Sequence, residues 1–278
     1  MQENPATGYV LVMEQLRAVI GSEARAPWSM TQGWSPIVTV AVHNGHDLRP
    51  ELEELVGIDT ADRRREEDPY TGLLTEVAPT RVIVERSRFE VDLNRPADDA
   101  VCLDPEDCWG LEIWAVEPPT AAVDRSRYLH AAFYSELRDL LAETRRRFGR
   151  FVVLDLHSYN HRRGGRATEA ADPATNPDVN VGTGSMDRTR WGHLVDRFIA
   201  DLSAHPLSLD VRENVRFKGR YLASWIHTEF PDSGCCLALE FKKTFMDEWT
   251  GRLDDARFDQ IAGALAATLP GLQEGLFR

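Results

Sequence analysis

Cysteine is scarce in this chain of 278 residues. It holds four, Cys102, Cys108, Cys235 and Cys236, with no C-x-x-C pair and two of them adjacent. That argues against a disulfide framework or a structural zinc site and leaves cysteine without assigned chemistry. Positive charge is also in deficit. Lysine and arginine total 32 against 45 acidic residues, a formal charge of −13, so a phosphate backbone would be repelled and a nucleic-acid binder is excluded. No apolar run approaches the roughly 20 residues that span a bilayer. The N-terminus lacks a basic-then-apolar leader, so the expectation is a cytoplasmic protein with no membrane partner. Repeats and low-complexity tracts are absent as well. With hydrophobic residues at 42%, one packed domain over 1–278 is expected, residues 1–35 forming an N-terminal cover segment.

What is present is a series of apolar runs that end in polar residues. Phe151 to Asn160 reads FVVLDLHSYN, and its apolar, β-branched start predicts a strand buried on both faces. Residues two apart in a strand share a face, so Asp155 and His157 project together at its exit. Carboxyl ends of strands are where open α/β sheets bind ligands. Pro36 to Val42 predicts another strand, leaving through His43-Asn44-Gly45-His46-Asp47. His43 and His46 could both reach one metal if a helix starts there; otherwise they are loop histidines. Arg81 to Val84 and Cys236 to Phe241 predict further strands, with a short one near Leu111 to Val116 and another in Asn176 to Asp187. Helical spacing marks Val10 to Ile20, Ser126 to Phe148, Trp191 to Leu202 and a C-terminal helix through Phe258, Ile261, Leu265 and Leu269. Alternation of this kind predicts an α/β fold with a mixed, mostly parallel sheet flanked by helices.

Several polar residues stand out against that frame. Asp68, before a proline turn, reads as a metal carboxylate or as a cap. The stretch from Glu85 to Pro96 groups Arg86, Arg88 and Arg95 with carboxylates, either as a polar network beside a charged ligand or as a salt-bridged edge. Residues 97–123 form an excursion with no assigned chemistry. Ser158 to Gly165 is a basic, glycine-containing loop suited to an anion or to a lid. Glu240 lies in an apolar strand, where a carboxylate is costly unless paired or functional. Pairing with Lys242 or Lys243 is the competing account.

Taken together, these pieces supply ligands and a base at separate strand ends, as metal-assisted hydrolysis requires. VHNG at Val42 to Gly45, SRFEVDLNRP at Ser87 to Pro96, LDLHS at Leu154 to Ser158, and FKGRY with LALEF near the end resemble the N-formylglutamate amidohydrolase family, relatives of the zinc carboxypeptidases. The resemblance covers about Pro36 to Thr250. It implies a carboxypeptidase-like single domain, one bound zinc ion, and hydrolysis of an amide on a small acidic acyl-amino acid. It also implies His43 and His157 as metal ligands and Glu240 as general base. Asn94 and Arg95 would hold a substrate carboxylate, with Arg86 and Arg88 as further candidates. The third metal ligand stays open between His46 and Asp68. His46 stands where carboxypeptidases carry glutamate, and EEDPYTG and HNGHDL depart from the usual forms of those segments. A peptidase or deacylase with another acyl group, or a noncatalytic binding protein on the same fold, are the alternatives.

Overall fold

A computed structural model describes residues 26–278. The helix expected over Val10 to Ile20, and most of the cover segment, lie outside the described residues. Seven strands form one sheet: β1 (Trp28–Thr31), β2 (Ile37–Ala41), β3 (Thr80–Val84), β4 (Phe151–Tyr159), β5 (Val179–Gly182), β6 (Val211–Glu213) and β7 (Gly234–Lys242), in the order β1-β3-β2-β4-β7-β5-β6. The four central strands β3, β2, β4 and β7 are mutually parallel. β1 is antiparallel to β3, and β5 is antiparallel to β7. The sheet is thus mixed and mostly parallel, as expected, with all four central carboxyl ends on one side.

Helices cover both faces because the central strands are apolar on both. On one face Val38, Val40, Val82, Val153 and Cys236 pack against Leu129, Phe133, Leu137 and Leu141 of the helix Thr120–Phe148, and against Leu222 and Ile226 of the helix Tyr221–Glu229. On the other, Val152, Leu154, Leu237 and Leu239 meet Trp191, Val195 and Phe198 of Arg188–Ser203, and Ile261 and Leu265 of Asp255–Leu276. Each buried Leu, Val or Phe contributes about 1.5–3 kcal/mol on transfer from water. The long first helix stops at Gly149, which adopts φ 79°, a conformation that costs glycine little.

Some expectations change. Cys102 and Cys108 form a disulfide, with Cα atoms 5.9 Å apart. The reversal that joins them is a turn in which Cys108 N donates to Pro105 O at 3.0 Å, a geometry that spacing alone did not reveal. Cys235 and Cys236 are buried and free. Near Leu111 to Val116 there is only an isolated bridge between Val56 and Trp114, not a strand. The edge strands β1 and β6 and the helix Tyr221–Glu229 were not anticipated. No helix among the described residues is long and apolar enough to cross a membrane.

Candidate active site

The chain exit after β2 is fastened to a turn 25 residues later. Asp68 N donates to His43 O at 2.9 Å, and Gly72 N donates to Asn44 Oδ1 at 2.9 Å. Gly45 is required here: a Cβ on it would lie 2.0 Å from the Glu85 carbonyl carbon. These backbone ties carry Asp68 under the imidazole of His43. From the next strand, β4, His157 turns toward the same point, with its ring centroid 4.8 Å from that of His43.

His43, Asp68 and His157 therefore form one buried group, each offering a ligand atom within 4.8 Å of the others. Asp68 Oδ2 lies 3.4 Å from His43 Nδ1 and 3.1 Å from His157 Nδ1. The opposite ring nitrogens are held by other carboxylates. His43 Nε2 lies 2.7 Å from Asp92 Oδ1, and His157 Nε2 lies 2.8 Å from Asp155 Oδ1. A histidine tethered to a carboxylate through one nitrogen presents the other, with a fixed tautomer and ring orientation, to a metal. The buried His43 Nδ1 has no hydrogen-bond partner, which leaves its lone pair for that purpose. Two imidazoles and a carboxylate suit zinc or a similar divalent ion, so the residues present fit such an ion.

The charge balance points the same way. Burial alone would raise the Asp68 carboxyl, but the bond to His157 and the nearness of His43 overcome it and hold Asp68 below the usual carboxylate range. For His157, burial opposes protonation, yet the charge of Asp155 and bonds to Asp155 and Asp68 push its imidazole well above its ordinary value. The pocket thus favours positive charge at its centre.

Glu240 on β7 pairs in register with His157 on β4. Burial pushes its carboxyl up to about 7, against the opposing pull of His157. Neither lysine partners it. Lys242 Nζ bonds Asp178 at 3.0 Å, and Lys243 Nζ donates to the carbonyls of Arg65 and Glu67, each at 2.7 Å. A carboxylate that has no partner among the described residues, is open to the crevice and is poised near neutrality can accept and return a proton.

The remaining expected residues are placed differently from one another. His46 is turned away from the group, its Nδ1 2.6 Å from Glu67 Oε2. Asn94 lines the crevice with Nδ2 3.2 Å from His157 Nε2, and its Oδ1 accepts from Leu222 N at 3.0 Å. Arg88 also lines it, bound to Asp92 at 2.9 Å. Arg95 lies in an adjoining cavity of about 1040 Å³, 3.3 Å from Asp92 Oδ2 and donating to Asp107 O at 2.7 Å. Arg86 is buried beside Glu90 and lines neither space. The sequence assigns no role to Asp92, Arg220 or Trp109, and to Lys243 only that of a salt-bridge partner for Glu240. Asp92 and Arg220 fall inside the DLNRP and FKGRY motifs, which was the available signal. Trp109 comes from the excursion read as carrying no chemistry, yet it walls the crevice beneath Arg88, whose guanidinium carbon lies 4.7 Å from the ring centroid.

A mixed sheet whose parallel strands bring His43, His157 and Glu240 to one crevice, with Asp68 supplied by the turn after residues 60–66, defines an α/β scaffold built around a candidate metal site. The chain belongs to the N-formylglutamate amidohydrolase family, whose model matches residues 35–246. Its fold is that of an N-formylglutamate amidohydrolase from Ralstonia eutropha JMP134: TM-score 0.74, 20% identity, covering 91% of this chain and 99% of that one. It is also similar to a gene product of Agrobacterium tumefaciens, with TM-score 0.67, 18% identity, and coverage of 91% and 97% respectively. No curated protein sequence matches it.

Proposed function

We propose that the chain is a zinc-dependent amidohydrolase that cleaves the amide of an N-acyl amino acid of the N-formylglutamate kind. Family membership supports the reaction class. The observation that carries the reading is the pairing of Glu240 with His157, beside the group of His43, Asp68 and His157. We assign the third ligand to Asp68, since His46 is committed to Glu67.

A divalent cation held by His43, Asp68 and His157 would polarise the scissile carbonyl and acidify the attacking water. Glu240 takes a proton from that water as its oxygen bonds to the carbonyl carbon. It then gives the proton to the leaving nitrogen as the C–N bond breaks, so acid and amine form without net proton change. Asp92 and Asp155 keep both imidazoles in the tautomer that faces inward. Arginines on the crevice walls hold the substrate's carboxylate by charge-assisted bonds.

The test is metal analysis of untagged protein followed by assay on N-formyl, N-acetyl and N-succinyl amino acids and on a peptide. The reading requires close to one zinc per chain and turnover that is lost on chelation and restored by zinc. Less than about half an equivalent, with no recovery on adding metal, would favour a noncatalytic binding protein.

A further inference from the structure

Cations on the crevice walls fall into two groups when their partners are counted. Arg88 is engaged by Asp92 at 2.9 Å and stacks on Trp109. Lys243 is spent on two carbonyls. Arg95, in the adjoining cavity, is held by Asp92 and Asp107 O. Among the described residues, the guanidinium groups of Arg163 and Arg220 have no hydrogen-bond or ion-pair partner, although both line the crevice. A guanidinium already paired must give up that pair to take a substrate. An unpaired one offers its fork of donors at no such cost.

Of the two, Arg220 stands on the firmer backbone. Gly219 before it has φ +85°, and a Cβ on it would lie 3.3 Å from Ala238 Cβ, while Gly184 N donates to Lys218 O at 2.6 Å. After it, Tyr221 N and Leu222 N bond Asn94 O and Oδ1 at 3.4 and 3.0 Å. Asn94 in turn touches His157 at 3.2 Å. The backbone that carries Arg220 is therefore tied through one side chain to the histidine of the metal-ligand group. Arg220 is also shared by the crevice and the 1040 Å³ cavity. Both side chains are exposed, but Arg163 projects from a turn after β4 whose neighbouring residues are mostly exposed too.

We propose that Arg220, rather than Arg95 or Arg86, is the specificity-determining residue that holds a free carboxylate of the substrate, selecting acidic over neutral acyl-amino acids. This rests on the amidohydrolase reading and adds the residue that discriminates. A substrate whose amide sits at His43, Asp68 and His157 and whose chain runs outward meets Arg220 where the crevice opens. A carboxylate there forms two parallel N–H···O bonds; an amide of the same shape offers a single neutral acceptor.

The experiment compares N-formylglutamate with N-formylglutamine in wild type, Arg220→Gln, Arg220→Lys and Arg95→Gln, with zinc content and melting temperature measured for each. In Arg220→Gln the preference for the acidic substrate should collapse to within about threefold, mainly through a KM raised about 100-fold, as expected for loss of a charge-assisted pair. Lysine should restore part of it. Arg95→Gln should keep the preference. If Arg220→Gln retains it while holding zinc and melting like wild type, the assignment is wrong. Binding of glutarate, measured by calorimetry, separates the two readings. Zinc-loaded wild type that hydrolyses no acyl-amino acid yet binds glutarate through Arg220 overturns the amidohydrolase function and keeps the anchor. Glutarate binding equal in wild type and Arg220→Gln, or undetectable in both, overturns the anchor.

Discussion

Glu240 lies directly across the β4–β7 ladder from His157. Neighbouring strands are about 4.8 Å apart, so the carboxylate stands beside the imidazole without being tied to it. The sheet itself sets that spacing, which makes the arrangement rigid.

Replacing Glu240 by Gln should lower kcat by about 10²–10⁴ without lowering stability. The folded carboxyl titrates at about 7, raised by burial above its ordinary 4.5. Its ionisation therefore opposes folding above pH 4.5, and fully so above pH 7. In metal-free protein, the melting temperature of the variant relative to wild type should rise between those limits. A variant that melts lower than wild type at pH 8 would contradict this.

Asp155 is fully buried and serves the imidazole of His157. Asp155→Asn should weaken zinc binding about 10- to 100-fold, the usual consequence of losing a carboxylate behind a ligating histidine. Competition with a chelator of known affinity reads this directly. Affinity within about twofold of wild type would remove Asp155 from the site.

Lys243 clamps the carbonyls of Arg65 and Glu67, the residues leading into Asp68. Lys243→Met strands the Glu67 carbonyl at about 1–3 kcal/mol, since Arg65 O still accepts from Asn160 Nδ2 at 2.9 Å, and the loss is offset in part because an ammonium no longer has to be buried. Net stability should change little, while the freed turn loosens Asp68. Faster amide exchange over residues 65–68 together with weaker zinc retention is the expected pair of results, and unaltered exchange there would count against the clamp.

His227 illustrates a site that looks catalytic but is not. Ser185 Oγ lies 2.9 Å from its Nδ1, while its Nε2 accepts from Cys236 N at 3.0 Å. With Nε2 an acceptor, the ring proton sits on Nδ1 and points at the serine, so the imidazole cannot take the serine's proton. Burial pushes His227 down to about 4, from an ordinary 6.5. Its contribution to stability is complete above pH 6.5 and is lost as pH falls through about 4, up to about 3 kcal/mol. His227→Gln should flatten that part of the stability curve between pH 6.5 and 4, as seen in urea titrations. An unchanged slope would mean that His227 is not held neutral.

The sequence by itself determined the central strands. β2, β4 and β7 are short apolar runs with polar ends, and hydrophobic burial at a period of two is a local property that the chain displays openly. Residues at those ends, His43, His157 and Glu240, were legible for the same reason. Other parts carried no such local mark. The edge strand Val211–Glu213 has only Val211 fully buried, and the helix Tyr221–Glu229 is too short to show a clear period. Tertiary structure alone decided the partners. It set Asp68 beneath His43 through a backbone bond, turned His46 to Glu67, paired Cys102 with Cys108, and left Arg220 without a partner among the described residues while binding Arg95 to Asp92. Each of these outcomes depends on which distant segment reaches a side chain first. Periodicity reports which face of an element is buried, whereas an ion pair is fixed only when the packed sheet and its loops bring both partners within bonding distance.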